Sequence, residues 1–309
     1  MKRTMQLTLV SLLAFFMTLG TALPAFASDG SNADTDVINE KLGVPIVVYG
    51  GSLTADQKEQ VRQQLDIKDP ANTKEYTVTG QDIQKYINGD PSSRMFSSAK
   101  ITRQDKGKGI NINIVTPDNI TEVTSEMYAN AMLTAGVEDA NVDVSSPVKV
   151  TGHSALTGIY KAYDAAGADL NKDRMELANE ELDVTTDLAK KDGMNSEKAT
   201  QLMTDIKKEI ADKKPATRED VEQIVNDQVN KLEISLSDKD RQLLIDLFDK
   251  MRNLNIDFSK VKTQLNDLTG KLKDKMDELG IDQGFWEKVV AFFKSFFQAI
   301  VDFFKGLFG

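Results

Sequence analysis

Hydrophobic positions along this chain change their period partway. From Val44 to Tyr163, short apolar runs alternate with stretches of near-helical spacing. Val44 to Tyr49 is a β-branched run that stops at Gly50-Gly51. Thr54 with Gln57 has capping-box spacing, and Val61 and Leu65 give the helix behind it an apolar face. Glu75 to Val78 predicts a strand, and Thr79-Gly-Gln-Asp82 starts a helix carrying Ile83, Tyr86 and Ile87. Arg94 to Arg103 and Ile110 to Val115 alternate as two strands, with Lys106-Gly-Lys-Gly109 between them as a hairpin turn. Ile110, Ile112 and Ile114 share one face of the second strand. Pro117 and Asp118 open a third helix that ends at Gly136. Val142, Val144, Val148 and Val150 are strand-like around Pro147, and Ser154 or Thr157 begins a helix to Tyr163.

From Asp169 onward the pattern is helical almost throughout. Residues 169–191, 196–212 and 217–233 predict helices, with Gly193 and Pro215 as stops. Ser237 caps the next one. Leu244, Leu247, Met251, Leu254, Phe258, Val261, Leu265, Leu268 and Leu272 then follow at alternating steps of three and four. That heptad favours an amphipathic bundle helix over an intermolecular coiled coil, and Asn255-Ile-Asp257 is a place for it to kink or break. The fold class is therefore α+β: a head over residues 43–166 of about six strands with packed helices, then a helical bundle or stalk over 167–280.

The last stretch is different again. Phe285, Trp286, Phe292, Phe293, Phe296, Phe297, Phe303, Phe304 and Phe308 surround a narrow polar stripe of Glu287, Lys294, Gln298, Asp302 and Lys305. No charge-free run there exceeds seven residues, too short for a span. Residues 281–309 predict an amphipathic helix lying flat on a membrane, its aromatic residues sunk to the headgroup boundary. Three lysines against Glu287, Asp302 and the terminal carboxylate leave the attraction apolar and resistant to salt. Packing into the protein's own bundle and self-association are the other two readings.

The beginning sets the compartment. Lys2 and Arg3, an apolar run from Leu7 to Leu23, and Ala25-Phe26-Ala27 form a signal-peptide pattern, so residues 1–27 are expected to be removed and 28–42 to be a polar lead-in. The chain has no cysteine, which excludes a lipid-modified cysteine and any disulfide. It carries 38 basic and 48 acidic residues, and loss of Lys2 and Arg3 leaves 36 against 48. Nucleic acid is not expected as a partner of so acidic a chain.

Candidate chemistry is sparse. His153 is the single histidine, at a strand-to-helix junction in Val150-Thr-Gly-His-Ser-Ala-Leu-Thr-Gly158. A helix N-terminus there can hold an anion through free backbone amides, so His153, Ser154 and Thr157 form the candidate ligand site. Asp169, Asn171, Asp173 and Glu180 match calcium-loop spacing, but Arg174 stands where the loop needs glycine. Neither a metal nor a cofactor is expected. Adjacent carboxylates such as Glu180 and Glu181 carry no information in an acidic chain.

Several segments carry a family resemblance. They are Ile110-Asn-Ile-Asn-Ile-Val-Thr-Pro-Asp-Asn-Ile120, Met127-Tyr-Ala-Asn130, Ser146-Pro-Val-Lys-Val-Thr-Gly152, Ser154-Ala-Leu-Thr-Gly-Ile-Tyr160 and Leu177-Ala-Asn-Glu-Glu-Leu182. Over roughly residues 40–280 the chain resembles the YpuA-like proteins, exported by spore-forming Gram-positive bacteria and known as a domain of unknown function. The resemblance implies an envelope location and transfers no catalytic residue. The expectation is an extracellular, non-enzymatic binding or structural protein on the outer face of the plasma membrane or in the cell wall. Its partners would be the lipid surface and a wall or envelope component. An envelope hydrolase using carboxylates in the head, or a self-assembling structural protein, are the alternatives.

Overall fold

The computed structural model describes residues 42–254 and 256–278. The first strand, β1 (Ile46–Tyr49), is buried along its whole length, which its unbroken Ile-Val-Val-Tyr run requires. Its side chains divide by parity. Ile46 and Val48 join the larger core on one face of the sheet, and Val47 and Tyr49 join Val61 and Leu65 on the other. Helix α1 (Ala55–Gln64) supplies that second face, held at its start by the reciprocal Thr54–Gln57 capping box. Strand β2 (Lys74–Thr77) follows, then α2 (Gly80–Ile87), whose Thr79–Asp82 capping box is also present.

Next come β3 (Ser98–Arg103), β4 (Ile110–Ile114), α3 (Ser125–Ala135), β5 (Ala140–Ser145) and α4 (Ser154–Ala165). The order of elements matches the hydrophobic pattern, but the pairing does not. The sheet runs β2-β1-β3-β5-β4, so β3 and β4 are not a hairpin. β5 lies between them, antiparallel to β3 and parallel to β4. Asp139 is the reason at the turn. Its carboxylate accepts from Gly109 N at 2.7 Å and its carbonyl from Gln104 N at 3.2 Å, taking two amides that a hairpin would have given to carbonyls across the turn. The parallel β4–β5 pair then uses α3 as its crossover. Five strands form among the described residues, where the pattern suggested about six. Pro147 ends the run, and beyond it Val150 makes a single bridge to Ile120.

The helical half comprises α5 (Lys172–Ala189), α6 (Ser196–Lys213), α7 (Arg218–Lys231), α8 (Asp238–Asn253) and α9 (Lys262–Glu278). Asn171, Asn195, Thr217 and Ser237 cap the first four, each accepting from a backbone amide three residues on. The heptad residues Leu244, Leu247, Met251, Phe258, Val261, Leu265 and Leu268 all enter the bundle core. They do so from two helices and from the 3-10 turn at Phe258–Val261 that separates α8 from α9. Two helices bind sheet and bundle together. α3 gives Met127, Ala131 and Met132 to the sheet core and Ala129 and Leu133 to the bundle core. α5 gives Met175, Ala178 and Leu182 to the first and Leu177 and Leu188 to the second. Among the described residues no helix is long and apolar enough to cross a membrane.

Candidate functional site

A cleft of about 270 Å³ opens where α2, the segment before β3, the segment before α4, and α5 meet. Three devices shape it. Asp90 accepts from Ser92 N at 2.8 Å and from the Ser92 hydroxyl at 2.7 Å, folding the chain after α2 into a turn. Ser52 and Met95 then exchange two bonds, Ser52 N to the Met95 carbonyl at 2.8 Å and Met95 N to Ser52 Oγ at 2.9 Å. Ser97 and Ser154 hydroxyls stand 2.6 Å apart and join this segment to the start of α4.

Gly152 lets the chain enter α4. Its φ of +108° is open to glycine alone, and an added Cβ would lie 2.8 Å from both Ile120 Cγ2 and Tyr128 Oη. The buried Tyr128 hydroxyl donates to the Gly152 carbonyl at 2.6 Å. His153 then occupies the cap position in helical conformation, without a side-chain cap bond.

The His153 ring is fixed at both nitrogens. Nδ1 lies 3.1 Å from Thr151 Oγ1, and Nε2 lies 3.2 Å from Thr186 Oγ1 and 3.3 Å from Asp183 Oδ1. The Thr186 hydroxyl donates back to carbonyls of its own helix, so its oxygen is left to accept. That assigns the proton to Nε2 and leaves Nδ1 to accept from Thr151. Burial pushes the ring's pKa down, with Lys190 adding to the fall and Glu122 and Asp187 opposing it. Asp183 moves the opposite way, to about 6, through burial of its carboxyl and then the charges of Asp187 and Glu180. Its side chain is 56% exposed, so water screens much of that field. Asn179 donates to its other oxygen at 3.1 Å.

Two groups have no hydrogen-bond partner among the described residues. Thr157 lines the cleft, is wholly buried, and its Oγ1 has no hydrogen-bond partner. Arg94 stacks on the Phe96 ring, 4.9 Å from its centre, and forms no ion pair or hydrogen bond among the described residues. Ile83, Ile87, Met95 and Val150 complete an apolar part of the wall. Apolar surface with a few convergent polar groups is the usual make-up of a small-ligand site. Two hollows of about 410 and 500 Å³ lie elsewhere, beside Arg252 and beside Gln264, without His153 or its neighbours.

The cleft thus brings together His153, Ser154 and Thr157, all three flagged in the sequence. Arg94, Asn179 and Asp183 were not flagged. Asn179 and Asp183 sit on α5 one turn apart, but polar residues on a helix in an acidic chain look like a solvated face. Of the calcium-loop positions, Asn171 caps α5, while Arg174 donates to the Leu133 and Thr134 carbonyls at the end of α3. No cluster that could hold a metal occurs among the described residues. Glu181 is not the featureless surface acid its neighbours suggested. It is buried, accepts from Thr134 Oγ1 at 2.5 Å and pairs with Lys207 Nζ at 2.5 Å. Residues 1–27, and Phe285, Trp286, Phe292, Phe293, Phe296, Phe297, Phe303, Phe304 and Phe308, lie outside the described residues.

Comparison with known proteins agrees with the resemblance. The sequence matches the family described as "Protein of unknown function (DUF1002)" over residues 49–268. It is 38% identical over 204 residues to the "Uncharacterized protein YpuA" of Bacillus subtilis (strain 168), covering 64% of this chain and 68% of that one. No solved structure matches it. The matched range runs from the end of β1 into α9 and includes every residue of the cleft, and the chain belongs to the DUF1002 family of proteins of unknown function.

Proposed function

We propose that this chain is exported from the cell and acts as a non-enzymatic binding protein of the envelope. The His153 cleft takes the ligand or partner, and residues 285–309 hold the protein on the outer face of the plasma membrane. The observation that carries the reading is the cleft itself. It brings the buried Thr157 hydroxyl and the exposed Arg94 guanidinium, neither hydrogen-bonded among the described residues, onto one cleft with a histidine fixed at both nitrogens. Fixed and unspent polar groups suit recognition, because little ordering remains to be done on binding. The location rests on the signal-peptide pattern of residues 1–27 and on the aromatic girth of residues 285–309.

Expression in a Gram-positive host, followed by N-terminal sequencing, tests export, with Ser28 as the expected first residue. Flotation with anionic lipid vesicles tests attachment. The exported chain is expected to float in both low and high salt, and a version ending at Gly280 to stay behind. Equal flotation of the two would remove the tether. A change in oligomer size without lipid would instead favour self-association.

One observation favours a second reading, an envelope hydrolase. Asp183 has a carboxyl that titrates near 6 and faces the cleft beside His153, which suits proton transfer near neutral pH. Release of soluble fragments from cell walls, abolished by Asp183→Asn, would establish that reading over binding alone.

A further inference from the structure

We propose that the His153 cleft holds its ligand by an oxyanion, a carboxylate or a phosphate, seated between the N-terminus of α4, the Thr157 hydroxyl and the Arg94 guanidinium. This deepens the binding reading above and rests on it.

Helix α4 runs from Ser154 to Ala165, three turns whose dipoles leave partial positive charge at the start. Seven other helices among the described residues, α1, α2, α3, α5, α6, α7 and α8, begin with a side-chain cap. Here the Ala155 and Leu156 amides turn back to the Gly152 and His153 carbonyls, at 3.1 and 3.2 Å. The His153 and Ser154 amides have no acceptor among the described residues.

That alone would be an ordinary helix end. The second observation comes from a side chain inside the cleft. Thr157 is fully buried, and its Oγ1 meets no acceptor or donor. A threonine in a helix can usually bond the carbonyl four residues back, as Thr185, Thr200 and Thr204 do here. Thr157 does not. An unsatisfied buried hydroxyl costs stability unless a ligand completes it.

The third observation is charge. Arg94 is an exposed residue lining the cleft and has no carboxylate partner among the described residues, although the chain holds 48 acidic residues to 38 basic. The Phe96 ring holds its guanidinium in place while leaving its N–H edge free. Helix amides, a hydroxyl and a guanidinium are all donors suited to one group, an oxyanion.

The two carboxylates that line the cleft limit the rest of the ligand. Asp183 is engaged by His153 and Asn179, and Asp90 by Ser92. They repel a second negative charge near them, so the ligand carries one anionic group on a neutral or cationic remainder. A volume of about 270 Å³ fits a small molecule or the end of a chain.

His153, as the one histidine, gives isolated ring signals by NMR and reports the site without further assignment. The purified chain would be titrated with sodium acetate, inorganic phosphate and N-acetylglucosamine, at constant ionic strength set with chloride. Saturable movement of the His153 signals by acetate or phosphate is expected, and the tighter of the two names the group. Arg94→Gln should weaken that binding about tenfold or more, and Thr157→Val about threefold to tenfold. Thr157→Val without ligand should melt no lower than the parent chain. A lower melting point would mean the hydroxyl serves the fold, and would overturn its role here. Movement with the sugar alone would overturn the oxyanion inference and leave the cleft a binding site. Movement with none of the three would overturn it as well, while capture of a larger envelope ligand would still decide the binding reading separately.

Discussion

Glu181 and Asp183 stand two residues apart on α5 and meet opposite fates. Glu181 is 1% exposed and saturated: Thr134 and Lys207 both donate to it, and Lys207 also donates to the Asn130 carbonyl at 2.9 Å and Oδ1 at 3.1 Å. Asn130 in turn donates to Thr204 at 2.7 Å. Burial alone would push Lys207 down, and the Glu181 carboxylate beside it opposes that. This closed network joins α3, α5 and α6 where sheet and bundle meet. Asp183 looks out from the same helix into the cleft, where donors are left over. The contrast separates two uses of polar groups. Where every partner is present, the cluster fixes how elements pack. Where partners are missing and solvent can reach, the cluster is available to something else.

The comparison can be broken most severely at Lys207. Replacing it with Met strands the Glu181 charge in the interior and should lower unfolding free energy by about 3–5 kcal/mol, read by urea denaturation. Adding Glu181→Leu should restore much of the loss, since a buried pair is replaceable by apolar packing. A single variant as stable as the parent would show that the network is not needed.

Gly152→Ala comes next. It forces a side chain into left-handed backbone and against Ile120 and Tyr128, for an expected loss of about 2 kcal/mol or more. Loss of the acetate or phosphate response of His153 should accompany it, because the entry to α4 must shift.

Asp183→Asn should act weakly and with a defined pH dependence. The folded chain holds the Asp183 proton up to about 6, above its ordinary 3.8. Its contribution is therefore favourable at low pH and is lost as pH rises through that window. The Asn variant should gain about 1 kcal/mol or less relative to the parent above pH 6, after discounting for exposure. That gain should vanish near pH 4. His153 opposes this trend. Its folded pKa lies below the ordinary 6.5, so its contribution is present above that value and lost on acidification. His153→Gln should flatten the acid side of the stability profile. The smallest effect belongs to Thr157→Val, whose melting point should not fall below that of the parent, since no internal bond is removed.

Much of this molecule was readable along the chain. The order of strands and helices in the head follows from period and caps, because Thr54, Thr79, Asn195, Thr217 and Ser237 satisfy amides only a few residues away. The heptad correctly marked a buried seam, and Asn255 to Asp257 marked its break. His153, Ser154 and Thr157 were legible as a helix start with spare donors, again a local property. Local rules could not reach further. The insertion of β5 between β3 and β4 brings Asp139 to Gly109, 30 residues away. Glu181 and Asp183 look alike in sequence, and only the packing of α3, α6 and the cleft walls around α5 distinguishes them. Period, capping and composition act between near neighbours and so are determined by the sequence itself. Strand pairing, the sealing of Lys207 and the placing of Arg94 and His153 on one cleft require distant segments to come together, and only the tertiary structure decides which of them do.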